Sequence, residues 1–265
     1  MLAVWPSQYP AETIMDFFTY AGAPGAYSLN LGAGAGISYA GDILGMDGFA
    51  ASANYVSNNG QVSFVDQGGI ANQASGGSGT VQLAYTGDDW NLTGAYAFNQ
   101  NPVYGYIPVG TPLAGDPFGG LSNFSVSSWA ISGWYAPDWG KYMPSISAGW
   151  GINDYTAQSG ADVFGIEAVS SGDGASSQSW YVGVQWPDVF LQGNYLGTAV
   201  GQPTFVSSND AFLESDDSTF AWELWYKFQV TDNIAVTPAY FYIDNPSGLG
   251  SNSVNGAVVK TTFTF

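Results

Sequence analysis

From Thr219 to Val230 apolar and polar residues alternate almost without a break. Phe220, Trp222, Leu224, Tyr226, Phe228 and Val230 fall on one side, and Thr219, Ala221, Glu223, Trp225, Lys227 and Gln229 on the other. An extended strand, with its two-residue period, keeps such sets apart, whereas a helix of about 3.6 residues per turn mixes them. The pattern returns along the chain. Trp180, Val182, Val184 and Trp186 oppose Tyr181, Gly183 and Gln185, and Leu92, Gly94, Tyr96 and Phe98 oppose Asn91, Thr93, Ala95 and Ala97. Ile146, Ala148, Trp150 and Ile152 oppose Ser145, Ser147, Gly149 and Gly151, and Ala257, Val259, Thr261, Phe263 and Phe265 oppose Val258, Lys260, Thr262 and Thr264. About eleven strands are predicted, over roughly 27–39, 49–57, 80–87, 91–100, 122–136, 144–156, 176–187, 189–201, 217–230, 233–244 and 253–265.

The connections alternate as well. Short ones fall at 40–48, 88–90, 137–143, near 188 and at 231–232; long ones, rich in Gly, Ser, Asn and Pro, fall at 58–79, 101–121, 157–175, 202–216 and 245–252. Short turns at one end and long loops at the other are the asymmetry of an antiparallel up-and-down transmembrane β-barrel, with the short end periplasmic. Strand lengths cluster near the ~9–11 residues that a tilted strand needs to cross a bilayer, and no apolar run reaches the ~18 residues of a transmembrane helix. Aromatic residues gather near strand ends, at Tyr27, Tyr39, Trp90, Tyr135, Trp186, Phe190, Tyr240 and Tyr242. Amphipathic rings favour the headgroup zone, so these read as interfacial girdles, against the plainer reading of core aromatics. The closing Phe263-Thr264-Phe265 keeps register with the apolar side and resembles the signal read by the outer-membrane assembly machinery, with Phe263 and Phe265 as its residues.

Counting back from a last strand that ends in the periplasm puts residues 1–26 on the outer side, ahead of strands in 27–265. A bacterial barrel closes with an even strand number, so the odd count predicts strands before Met1 or one miscounted strand. Residues 10–22 break the alternation. Pro10 suits a first helical turn, Glu12 the positive helix end and Gly22 the stop, while Ile14, Phe17, Phe18 and Ala21 share one face. A short helix here either caps the rim or folds into the lumen as a constriction involving Glu12, Asp16 and Phe17.

Composition narrows the class. Charged residues are only 9%, aromatics are 16%, there are 36 glycines, and mean hydropathy is +0.03. Soluble domains carry about 25% charged residues. The 21 acids face three lysines, Lys141, Lys227 and Lys260, for a formal net charge of −18. That balance excludes nucleic acid as a partner and favours cations, although solubility in a salty habitat accounts for acidity equally well. With no Cys and no His, disulfides, thiolate and imidazole metal sites and Ser-His-Asp triads are all excluded. No enzyme activity, cofactor or metal site is expected. Loop acids at Asp162, Glu167 and Asp173, and at Asp210, Glu214, Asp216 and Asp217, match no calcium-loop spacing and read as solvated charge.

Function in such a barrel rests on lumen width and lining. The predicted pore-lining residues are Gln185, Gln192, Asn194, Glu223, Trp225, Lys227, Gln229, Lys260 and Thr262. A charge facing lipid at mid-bilayer costs about 2–4 kcal/mol, so Glu223, Lys227 and Lys260 are expected inside even without a selectivity role.

Three stretches carry a family resemblance: Met1-Leu-Ala-Val-Trp-Pro-Ser-Gln-Tyr-Pro10, Asp16-Phe-Phe-Thr-Tyr-Ala-Gly-Ala-Pro-Gly25 and Ser52-Ala-Asn-Tyr-Val-Ser57. In that order they resemble the cyanobacterial major outer-membrane porins, relatives of the carbohydrate-selective (OprB) porins. The resemblance implies a signal peptide, a peptidoglycan-gripping domain, a linker and a barrel of about sixteen strands, of which this chain is the C-terminal portion. It implies a homotrimer in the cell outer membrane, contacting outer-membrane lipid, that passes small hydrophilic solutes: inorganic ions, iron among them, or small sugars. Two other readings predict different behaviour. A non-conducting barrel acting as adhesin, anchor or phage receptor gives no conductance, and a soluble β-rich viral structural protein needs no detergent.

Overall fold

The computed structural model describes residues 13–27, 32–43, 45–64, 66–70, 75–100, 109–119, 123–138, 143–163, 166–210, 217–248, 250 and 252–264. Its strands are β1 (Ala33–Ile43), β2 (Met46–Ser57), β3 (Gly77–Thr86), β4 (Trp90–Gln100), β5 (Phe124–Tyr135), β6 (Ser145–Ala157), β7 (Ala161–Val163), β8 (Ile166–Val169), β9 (Gly174–Pro187), β10 (Tyr195–Asn209), β11 (Phe220–Thr231), β12 (Ile234–Asp244) and β13 (Ser253–Phe263). Eleven of them form one antiparallel sheet in simple chain order, and β7–β8 is a separate hairpin inside the β6–β9 loop. The all-β, up-and-down architecture read from the alternation is thus present. The sheet is open, with β1 and β13 at its two edges.

Several boundaries differ from the sequence reading. Residues Pro24–Tyr27 are helical, so the first strand starts at Ala33 instead of 27. The small-residue run from Leu31 to Gly36 offers little apolar contrast by which to place that start. The first connection shrinks from 40–48 to the tight turn between Ile43 and Met46. Residues 188–194 form a turn rather than the start of a strand. Asp188 and Phe190 take positive φ (54° and 62°), and the Gly193 amide donates to Asp188 Oδ1 at 2.7 Å. At its other end β10 runs on to Asn209, with register shifts beside Pro203, which has no N–H to give the ladder.

Register makes each face continuous across the sheet. One row joins Gly36, Asn54, Thr80, Ala97, Ser128, Asn153 and Ser177. These residues are small or polar, and this face is the inner one. The neighbouring row on the opposite face joins Ile37, Ala53, Val81, Tyr96, Trp129 and Ile152. Three of its large members are exposed, Ile37 at 73%, Val81 at 52% and Trp129 at 55%, while Tyr96 and Ile152 are half-buried. Leu83, Leu92, Ile131, Trp150, Leu224, Val259 and Phe263 are exposed on the same side. A soluble protein does not spread so much apolar area over one continuous face; a lipid-facing wall requires it.

Arginine in place of Trp129, at the middle of β5, is expected to lower folding stability in lipid by about 2–4 kcal/mol. Urea titration of protein refolded into phosphatidylcholine vesicles reads this as an earlier midpoint. An unchanged midpoint would remove Trp129 from the lipid face.

Candidate functional site

The inner face is not empty. Residues 13–27 lie across it as two single helical turns, α1 (Asp16–Thr19) and α2 (Pro24–Tyr27). The single helix predicted over 10–22 is broken at Ala21 and Gly22, whose φ values are 52° and 67°. Gly22 does act as the predicted stop, its amide donating to the Phe17 carbonyl at 3.3 Å. Pro24 then opens the second turn, where its missing N–H costs nothing.

Three contacts seat the segment. Glu223, fully buried on β11, accepts hydrogen bonds from the amides of Ile14 at 2.6 Å and Met15 at 2.7 Å. Both amides precede or open α1 and have no helical partner of their own. Next, Phe17, Phe18 and Ala21 pack with Tyr181, Ala199, Ala221, Trp225 and Ala239. Finally, Ala23, Ala26 and Tyr27 pack with Ala95, Ala97 and Ala130. Burial pushes the Tyr27 hydroxyl up to about 12, so it stays neutral. The segment therefore crosses the wall from β11 to β4, and the wall is built to receive it. A Cβ on Gly149 would collide with the Ala21 carbonyl, and one on Gly201 would press on the Phe17 ring.

The residues singled out from sequence divide into groups. Glu223, Trp225, Lys227, Lys260, Thr262 and Gln185 all fall on inner-face rows. Glu223 and Trp225 are covered by the segment, and Lys260 interacts electrostatically with Glu223. The Lys227 ammonium stands over the Tyr195 ring, 5.4 Å from its centroid. Gln229 is exposed near the end of β11, its amide group donating to the Thr231 carbonyl at 2.6 Å. Gln192 lies in the β9–β10 turn rather than on a strand. Asn194 is buried as a clip, donating to the Tyr226 hydroxyl and accepting from the Gln229 amide, both at 2.9 Å. Phe17, predicted at the constriction, turns into the wall instead, and Asp16 is the exposed residue of α1. Phe263 is exposed on the lipid side. Glu12, Lys141 and Phe265 lie outside the described residues.

Sequence reasoning missed one loop acid. Asp217, read as solvated, is buried; it accepts from the Thr111 hydroxyl at 2.6 Å and the Val206 amide at 2.7 Å. It ties the β4–β5 loop to β10 at the long-loop end. Its partners lie in another loop and in β10, which no local spacing reveals. Among the described residues no group of three or more acids is placed to hold a metal ion.

Space remains on both sides of the segment. Toward the long loops a cavity of about 490 Å³ is lined by Ile14, Asp16, Phe17, Val109, Phe241 and Ile243. Toward the short turns a cavity of about 720 Å³ includes Asp88, Asp89, Asp138, Gln185, Asp188 and Tyr195 in its lining. The inner face thus carries an apolar cavity toward the long loops and an acid-lined cavity toward the short turns, with residues 13–27 between them.

Residues 20–265 match the family described as carbohydrate-selective porin, OprB family. An uncharacterized protein of Synechocystis sp. is 30% identical over 131 residues, covering 48% of this chain and 23% of that protein. Another, of Nostoc sp., is 32% identical over 126 residues, covering 45% of this chain and 21% of its own length. The match thus spans less than a quarter of either relative. The anion-selective porin from Comamonas acidovorans superposes with a TM-score of 0.55 at 14% identity, covering 87% of this chain and 59% of that chain, a likeness of fold.

Glu223→Gln keeps the shape but sets an NH2 group against a backbone N–H. Hydrogen bonds to charged groups contribute about 1.5–3 kcal/mol, so amide exchange at Ile14 and Met15 is expected to quicken roughly 10- to 100-fold while the sheet persists. Exchange at the wild-type rate would mean that Glu223 does not hold the segment.

Proposed function

Because this chain belongs to the carbohydrate-selective porin (OprB) family of the outer membrane, we propose that it forms wall and constriction of a passive conduit for small hydrophilic solutes. The observation that carries this reading is the pairing of an exposed apolar face with an inner face of Ser, Thr, Asn, Gly and Ala. Lipid takes one side and water the other. Eleven strands in an open sheet supply part of the wall, within a barrel of about sixteen. In this reading residues 13–27 narrow the lumen, Asp16 brings a carboxylate to the narrowing, and the inner-face residues Gln185, Lys227, Lys260 and Thr262 line the path below it.

The excess of 21 acids over three lysines supports a mild preference for cations. Inorganic ions, iron among them, and small sugars are the solutes proposed. A homotrimer in outer-membrane lipid, delivered by assembly machinery that reads Phe263 and Phe265, completes the reading. The family match sets aside a soluble viral protein. A plugged barrel serving as adhesin, anchor or receptor is favoured by one observation, the tight seating of residues 13–27.

Planar-bilayer recording of the detergent-purified protein tests both. Stepwise conductance is expected, with a reversal potential favouring K⁺ over Cl⁻ that fades near 1 M salt, where the screening length falls to about 3 Å. Silence would favour the plugged barrel, and anion selectivity would overturn the cation preference.

A further inference from the structure

We propose that residues 109–119 of the β4–β5 loop form a second narrowing of the lumen, separate from residues 13–27, and that Asp217 is the residue that positions it. The narrowing rests on the conduit reading; the seating of the loop by Asp217 does not.

The inner wall at the long-loop end is built to be covered. Phe124 and Val126 of β5, Tyr155 of β6 and Ala175 of β9 share the inner face with Ser128, Asn153 and Ser177. The interior of a transmembrane barrel is ordinarily polar, and apolar groups there would meet water. Yet none of these four is more than 4% exposed. Lipid is not what shields them, because alternation points them inward. Phe118 of the β4–β5 loop packs among them, together with Val169 from the β7–β8 hairpin. The Phe118 and Phe124 rings meet edge to face, 5.9 Å between centroids.

The loop is seated by its backbone as well. It makes one helical turn, α3 (Pro112–Gly115), capped by the Thr111 hydroxyl, which accepts from the Ala114 amide at 3.2 Å. The Tyr155 hydroxyl donates to the Ala114 carbonyl at 2.8 Å, and the Asn209 side chain donates to the Pro117 carbonyl at 2.7 Å. The Thr111 amide donates to the Thr204 carbonyl at 2.8 Å. Main chain that joins no sheet must find partners in this way once it is buried.

Asp217 makes the charged contact of the set. Its Oδ2 accepts from the Thr111 hydroxyl at 2.6 Å and the Val206 amide at 2.7 Å, which fixes the start of α3 against β10. Hydrogen bonds to an ionised acceptor are roughly twice as strong as neutral ones. The β12–β13 turn closes over the same carboxylate. Gly248 has a φ of 75°, and a Cβ there would collide with Asp217 Oδ1. One buried acid thus joins the β4–β5 loop, β10 and the β12–β13 turn.

The two inserted stretches frame one opening. Val109 packs against the cluster that holds Phe17. The cavity of about 490 Å³ has Ile14, Asp16 and Phe17 on one side and Val109 and Gly110 on the other. Displacing the loop widens the long-loop mouth even while residues 13–27 stay in place.

The chain has no cysteine, so single introduced thiols report each cover separately. Val126→Cys lies in the cluster closed by Phe118, and Ala97→Cys lies beneath residues 13–27. Each is carried in the detergent-folded full chain, with and without Asp217→Asn, and labelled with a trimethylammonium methanethiosulfonate. Asp217→Asn is expected to speed labelling of Val126→Cys roughly tenfold and to leave Ala97→Cys unchanged. Ala175→Cys, in the same cluster as Val126, repeats the reading if the Val126 variant does not fold. Unchanged labelling in that cluster would overturn the role of Asp217, and so would equal acceleration at Ala97→Cys, the mark of a general loosening. In planar bilayers Asp217→Asn is expected to raise single-channel conductance. Unchanged conductance beside uncovered thiols would overturn the narrowing. Silence of the unaltered chain would overturn the conduit reading and the narrowing with it, while the labelling contrast still decides whether Asp217 seats the loop.

Discussion

In hydrocarbon a backbone N–H or C=O has no water to fall back on, so every such group must find a partner within the protein. The eleven-stranded sheet meets that demand for its nine interior strands, each paired on both sides, and leaves one side each of β1 and β13 open. Everything else follows from those ladders. Fixed pairing gives fixed register, and fixed register makes Ile37, Val81, Tyr96 and Trp129 one outward row and Gly36, Thr80, Ser128 and Asn153 one inward row. The protein is apolar where a soluble protein would be polar, and the inversion is imposed by the solvent on each side.

The inner face inherits what the outer face does not use. Small residues dominate it, which lets a second stretch of backbone come close. Residues 13–27 exploit this at Gly149, where the Ala21 carbonyl lies on the strand backbone, and at Gly201, where the Phe17 ring does. Glu223 supplies a strong polar contact, and its burial is tolerable because two amide donors meet it at 2.6 and 2.7 Å. A carboxylate that looks like a channel-lining charge thus serves first as an anchor. The exposed acid of the segment is Asp16, one residue away from the ring that turns into the wall.

The alternation made the strands, the two faces and the short–long loop rhythm legible, because a two-residue period survives in any window of a few residues. What escaped was set by contacts far apart in sequence. Nothing near Glu223 announces partners 209 and 208 residues away. Asp217 sits among other loop acids and differs from them only through Thr111 and Val206. Asn194 reads as a strand residue until Asp188 and Phe190 bend the chain with positive φ. Phe17 lay on the predicted apolar helix face with Ile14, Phe18 and Ala21, and that face is the one that packs; its placement at the constriction ignored where the face had to go. Gln185 falls on an inner-face row, but its unpartnered amide depends on Ser145 turning elsewhere.

The bond between Ile14 and Glu223 also carries information about time. It closes a loop of 209 residues, and its acceptor stands on the ninth strand of the large sheet. Chain entropy makes such a closure unfavourable until the intervening strands have already drawn the ends together. The first described stretch of the polypeptide is therefore among the last to settle. Its docking marks a nearly finished sheet, so the interior closes only after most of its wall exists.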